Sequence, residues 1–84
     1  MSTKDKLLER FKKQPKDFTW DELVRLFGLL GFTMDSRGKT SGSRVRFKNS
    51  NYVFYIHKPH PESIMKKYAL SNAMDYLKNN GFIQ

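Results

Sequence analysis

The sequence predicts an α+β fold: two helices, then three antiparallel strands, then a closing helix. Three observations carry this. Apolar residues recur at helical spacing as far as Gly31, charged and apolar residues alternate from Arg44 to Lys48, and helical spacing returns after Pro61. The 84 residues leave room for one small core, so one domain over 1–84 is expected, with its compact part near 19–83.

The first helix runs from Thr3 to Lys13, with Leu7, Leu8 and Phe11 as its apolar stripe. Pro15 forbids its continuation. The second opens at Thr19, whose pairing with Glu22 forms a capping box. Trp20, Leu23, Val24, Phe27 and Leu30 follow at helical spacing. Gly31 suits a left-handed C-terminal cap, and Phe32 can fold back onto the last turn. Phe32, Met34 and Ser36 alternate as a first strand, and "RGKTSGS" is a polar loop.

Arg44 to Lys48 forms the second strand and "YVFYIH" the third, joined through "NSN". With Ser50 and Asn51 as the turn, Asn49 faces Tyr52, Phe47 faces Phe54 and Val45 faces Ile56. Arg46 then meets Tyr55, and Arg44 meets His57. Pro59 and Pro61 stop the strand. The last helix is expected from Glu62 or Ser63, with Ile64, Tyr68, Ala69, Met74 and Leu77 among its buried residues. Gly81 and Phe82 close it as Gly31 and Phe32 close the second.

Charge is the loudest feature of the composition. Sixteen Lys and Arg face eight Asp and Glu, for a net charge of +8. Residues 1–31 carry +2, residues 32–68 carry +6, and residues 69–84 are neutral. A localised basic field attracts polyanions, of which nucleic acid is the commonest. A merely solubilising surface and an acidic protein partner are the two alternatives. The absence of cysteine excludes disulfides and thiolate metal sites, and fits a cytoplasmic location. No stretch is apolar for long enough to cross a membrane, and the N-terminus lacks the apolar segment of a signal peptide.

The expected register gathers Arg44, Arg46, Lys48, Tyr55 and His57 on one sheet face. Cations beside an aromatic surface are what RNA needs, for phosphate and base respectively; an ordinary solvated strand face is the plainer alternative. Lys66 and Lys67 fall early in the last helix, where free N–H groups and the helix dipole favour a phosphate, although solvated lysine needs no ligand. Lys39 and Ser43 belong to the "RGKTSGS" loop, which lacks the spacing of a nucleotide-binding loop. Such a loop either touches RNA or simply connects strands.

His57 and His60 are the only histidines. As a metal pair they lack partners, since Glu62 is the one carboxylate nearby, so no metal or cofactor is expected. As acid and base they could serve RNA cleavage. One takes the 2′-hydroxyl proton, cations stabilise the charged phosphorane, and the other protonates the leaving 5′ oxygen.

The succession "LLGF", "GSRVRF", "HKPHP", "IMKKYAL" and "NNGFI" resembles the HicA toxins of bacterial toxin–antitoxin systems over about residues 20–83. The resemblance implies a fold like the double-stranded RNA-binding domain, with residues 3–13 as an extra helix. It also implies an mRNA interferase, an endoribonuclease neutralised by a HicB antitoxin. Gly42 and Ser43 match the Gly–Ser pair that opens the family's second strand. The family's usual catalytic histidine follows that pair, and here Arg44 and Val45 stand there. Arginine stays charged and cannot act as a base at neutral pH. His60 matches the family's histidine after the third strand, and Lys66 and Lys67 match the basic start of its last helix. Either His57 takes the base role, or the protein binds RNA without cutting it. The alternatives are a non-catalytic RNA-binding module and a basic domain that docks an acidic protein.

Overall fold

Among the described residues, six elements follow in the expected order: α1 (Thr3–Lys12), α2 (Trp20–Leu29), β1 (Thr33–Asp35), β2 (Arg44–Asn49), β3 (Tyr52–His57) and α3 (Lys67–Asn79). The computed structural model describes residues 3–35 and 44–84. The expectations placed on Ser36, Lys39, Gly42 and Ser43 lie outside the described residues.

The strands form an antiparallel sheet in the order β1-β2-β3. The β2–β3 register is the expected one at every pair, from Arg44 opposite His57 to Asn49 opposite Tyr52. Alternation dictates it, because a slip of one residue would turn Val45, Phe47 and Ile56 to water. Ser50 takes a positive φ of 55°, as the first residue of a two-residue hairpin turn does.

The helices cover one sheet face. The Phe27 ring of α2 stacks on Phe47 at 4.4 Å and on Phe54 at 5.7 Å, while Tyr76 of α3 meets Phe54 at 4.8 Å. Leu23, Leu26, Leu70, Ala73 and Leu77 fill the space between, and no polar residue is buried among the described residues. The capping box of α2 is formed: the Thr19 N–H donates to Glu22 Oε1 at 2.9 Å, and the Glu22 N–H donates to Thr19 Oγ1 at 3.2 Å. Both expected glycine caps are present. The Phe32 N–H reaches the Phe27 carbonyl and the Phe82 N–H the Leu77 carbonyl, each at 2.9 Å, with Gly31 and Gly81 at positive φ.

The N-terminal helix joins the same core. Phe11 is fully buried, its ring 5.6 Å from that of Phe18. Arg10 Nε donates to Glu22 Oε2 at 2.7 Å, and Arg10 Nη2 donates to Asp17 Oδ1 at 3.1 Å. The arginine thus ties α1 to the carboxylate that caps α2.

Three expectations need correction. The last helix starts at Lys67, not at Glu62 or Ser63. The Ser63 carbonyl accepts the Trp20 N–H, and the Met65 N–H donates to the Phe18 carbonyl, both at 2.7 Å. These bonds hold residues around Ile64 extended beside Thr19, so they cannot wind into a helix. Tyr68 is not buried but 65% exposed. Leu70, Ala73 and Leu77 form the buried stripe, and at 100° per residue Tyr68 lies about 160° around the helix from Leu70. Finally, Phe32 precedes β1 and is buried between Phe27 and Phe82, whereas Met34 is 47% exposed. Met34 sits opposite Phe47, but on a three-residue edge strand whose residues are exposed or only half-buried.

Candidate functional site

The pairing of β2 with β3 places Arg44, Arg46, Lys48, Tyr55 and His57 on the face away from the helices. The three cations are not equivalent. Arg44 is exposed, and its guanidinium lies 4.6 Å from the centre of the Tyr55 ring, a cation–π stack. Arg46 is half-buried and donates to Asp35 Oδ2 on β1, and that hydrogen bond holds the guanidinium above its ordinary pKa. Asp35 therefore offsets much of the Arg46 charge. Lys48 is exposed. Arg44 and Lys48 are the cations this face can offer to an anion.

The end of β3, the Pro-rich segment after it and the first turn of α3 enclose a cleft. It is lined by His57, Lys58, Pro59, His60, Met65, Lys66, Tyr68 and Ala69. The two histidines and Lys66 thus come together, although nine positions separate His57 from Lys66 in the chain. The His60–Pro61 peptide bond is cis. Lys66 is the N-cap residue of α3 and Lys67 its first residue, and no side chain caps this helix. The later start of α3 therefore puts both lysines at the positive end of its dipole, closer than expected from the sequence.

A second cleft adjoins the first between β3 and α3, lined by Phe54, Tyr55, Ile56, His57, Tyr68, Ala69 and Asn72. His57, Tyr68 and Ala69 belong to both clefts. Through His57 and Tyr55 the clefts are continuous with the Arg44-bearing face. Tyr68 and Asn72 are lining residues that sequence reasoning missed. Their signal was available in the spacing, since both lie opposite the Leu70–Ala73–Leu77 stripe. Among the described residues, no group of three or more His, Cys, Asp or Glu side chains is placed to hold a metal ion. None of the helices is long and apolar enough to cross a membrane among the described residues.

A family model described as the HicA toxin of bacterial toxin–antitoxin systems matches residues 20–82. The chain belongs to the HicA toxin family. No curated protein and no solved structure matches it. The HicA match begins at the first residue of α2 and runs through the Gly81 cap, taking in the whole sheet, both clefts and both histidines. It leaves α1 outside, so the buried Phe11 and the Arg10–Glu22 pair are additions to what the HicA family pattern covers. A HicA toxin is one half of a toxin–antitoxin pair, so its partner is of the antitoxin kind.

Proposed function

We propose that this HicA-family protein binds RNA and cleaves mRNA by metal-independent acid–base chemistry, and that a HicB-type antitoxin neutralises it. The observation that carries this is the single cleft shared by His57, His60 and Lys66, continuous with the exposed Arg44 beside Tyr55. His57 takes the proton of a ribose 2′-hydroxyl, and the 2′ oxygen attacks the adjacent phosphorus. Lys66, the uncapped start of α3 and Arg44 stabilise the charge that builds on the phosphorane. The bond from phosphorus to the 5′ oxygen breaks, and His60 in its protonated form gives that oxygen its proton. A 2′,3′-cyclic phosphate and a free 5′-hydroxyl result. Lys48, Tyr55 and Lys67, with Lys39 and Ser43, extend the contact along the strand, while Arg46 keeps its bond to Asp35. The antitoxin closes the same basic surface with acidic groups.

Expression without the antitoxin should arrest growth, and His57→Ala should relieve the arrest while leaving RNA retention in place. Full toxicity of both His57→Ala and His60→Ala would sink the assignment of the site. A second reading rests on Arg44 and Val45, which stand where the family's usual histidine is expected: a non-catalytic RNA-binding module. It predicts no cleavage, with retention that survives both histidine changes and falls steeply with salt. Failure to retain RNA at moderate salt would leave a basic domain that docks an acidic protein.

A further inference from the structure

Tyr68 is the most exposed large apolar residue among those described, at 65%. It lies on the α3 surface opposite the buried stripe, so the core does not require it. Its position is nevertheless specific, because it lines both the histidine cleft and the adjoining one. The second cleft has a volume of about 160 Å³, and its lining includes Phe54, Ile56 and the small, half-buried Ala69 together with exposed Tyr68 and Asn72. Asn72 is one helical turn beyond Tyr68 and on the same side. A flat aromatic ring, apolar walls and one amide that both donates and accepts are the parts of a nucleobase site.

We propose that this second cleft is a nucleobase subsite. It takes an unpaired base of the RNA strand whose phosphate lies at His57, His60 and Lys66, with Tyr68 stacking on the base and Asn72 bonding its edge. The subsite rests on the RNA-cleaving reading above and names the form of RNA that this reading leaves open. Because His57, Tyr68 and Ala69 are common to the two clefts, their occupants are neighbouring parts of one nucleotide chain. Duplex RNA cannot fill the subsite, since its bases are paired and stacked out of reach of a side chain. The unpaired strand is therefore the substrate, and Tyr68 positions it for the histidines.

The test uses a fluorescent single-stranded RNA that is 2′-O-methylated throughout, which cannot be cleaved through its 2′ oxygens. Binding is measured by anisotropy alongside an abasic strand of the same length and the fully paired duplex. Tyr68→Ala should weaken the single strand by about 5- to 150-fold, the range one stacked base supplies. Tyr68→Phe should bind like the parent. The abasic strand and the duplex, held by cations alone, should not respond to Tyr68→Ala. An unchanged single strand, or an equal loss on all three probes, would overturn the subsite while leaving RNA binding intact. If the parent retains none of the probes at low salt, the RNA reading fails and the subsite fails with it.

Discussion

Truncating Phe11 to alanine tests whether α1 is part of the folded unit, since this helix lies outside the family match. Phe11 is fully buried, its ring against that of Phe18. Removing a buried phenylalanine ring costs about 3–5 kcal/mol. A chain of 84 residues holds about 4–13 kcal/mol of stability in all, so the variant would lose a large share of it. With a urea m-value of about 1.2 kcal/mol/M, near the lower end for small proteins, the unfolding midpoint should fall by about 2.5–4 M. Trp20 is the single tryptophan and is only 5% exposed, so its fluorescence reports the transition without a label. Leu8→Ala, at a half-buried position of the same helix, should cost clearly less. A Phe11→Ala midpoint within about 0.5 M of the parent, at unchanged slope, would refute the docking of α1.

Two further outcomes concern caps. The hydrogen bond from Arg10, assisted by the Thr19 N–H, holds the Glu22 carboxyl below its usual pKa against the opposing effect of burial. Its stabilisation is therefore complete above the ordinary carboxyl range near about pH 4.3 and fades as pH falls through the lower folded value. Glu22→Gln keeps an acceptor for Thr19 but loses the charge, so its stability deficit against the parent should be largest near neutrality and shrink in acid; a deficit independent of pH in urea titrations would contradict this. Gly31→Ala should destabilise more than Gly81→Ala in thermal unfolding. Both glycines sit at positive φ, where a side chain costs about 1–2 kcal/mol. Only at Gly31 would the new Cβ come within 3.0 Å of Asn49 Nδ2, whose amide donates to the Leu30 carbonyl; equal losses would mean that this contact yields freely.

The parts of the fold that were legible in the sequence are those decided by residues close together in the chain. Thr19 and Glu22 cap α2 through bonds across three positions, and Gly31 and Gly81 close helices through bonds across five. The β2–β3 register could be read because the turn is two residues long and the charged–apolar alternation has one solution that buries Val45, Phe47 and Ile56. That register also placed Arg44 opposite His57 and Arg46 opposite Tyr55 on one face, but the stacking of Arg44 on Tyr55 was not legible in it.

Distant contacts decided the rest. Helical spacing alone extends the last helix back to Glu62 or Ser63, but main-chain bonds from Phe18 and Trp20 hold Ser63 and Met65 extended. Those bonds start α3 at Lys67 and set the phase that turns Tyr68 outward. They also bring Lys66 into one cleft with His57 and His60. Likewise, an apolar stripe on α1 says that the helix needs a partner but not which one; Phe18, Glu22 and Asp17 supply the answer. By itself the sequence determined the order of elements, the start of α2, the glycine ends of α2 and α3 and the register of the hairpin, because backbone hydrogen bonding and side-chain period act over a few residues. Only the tertiary structure decided which side chains share a cleft, because that depends on bonds between segments more than forty positions apart.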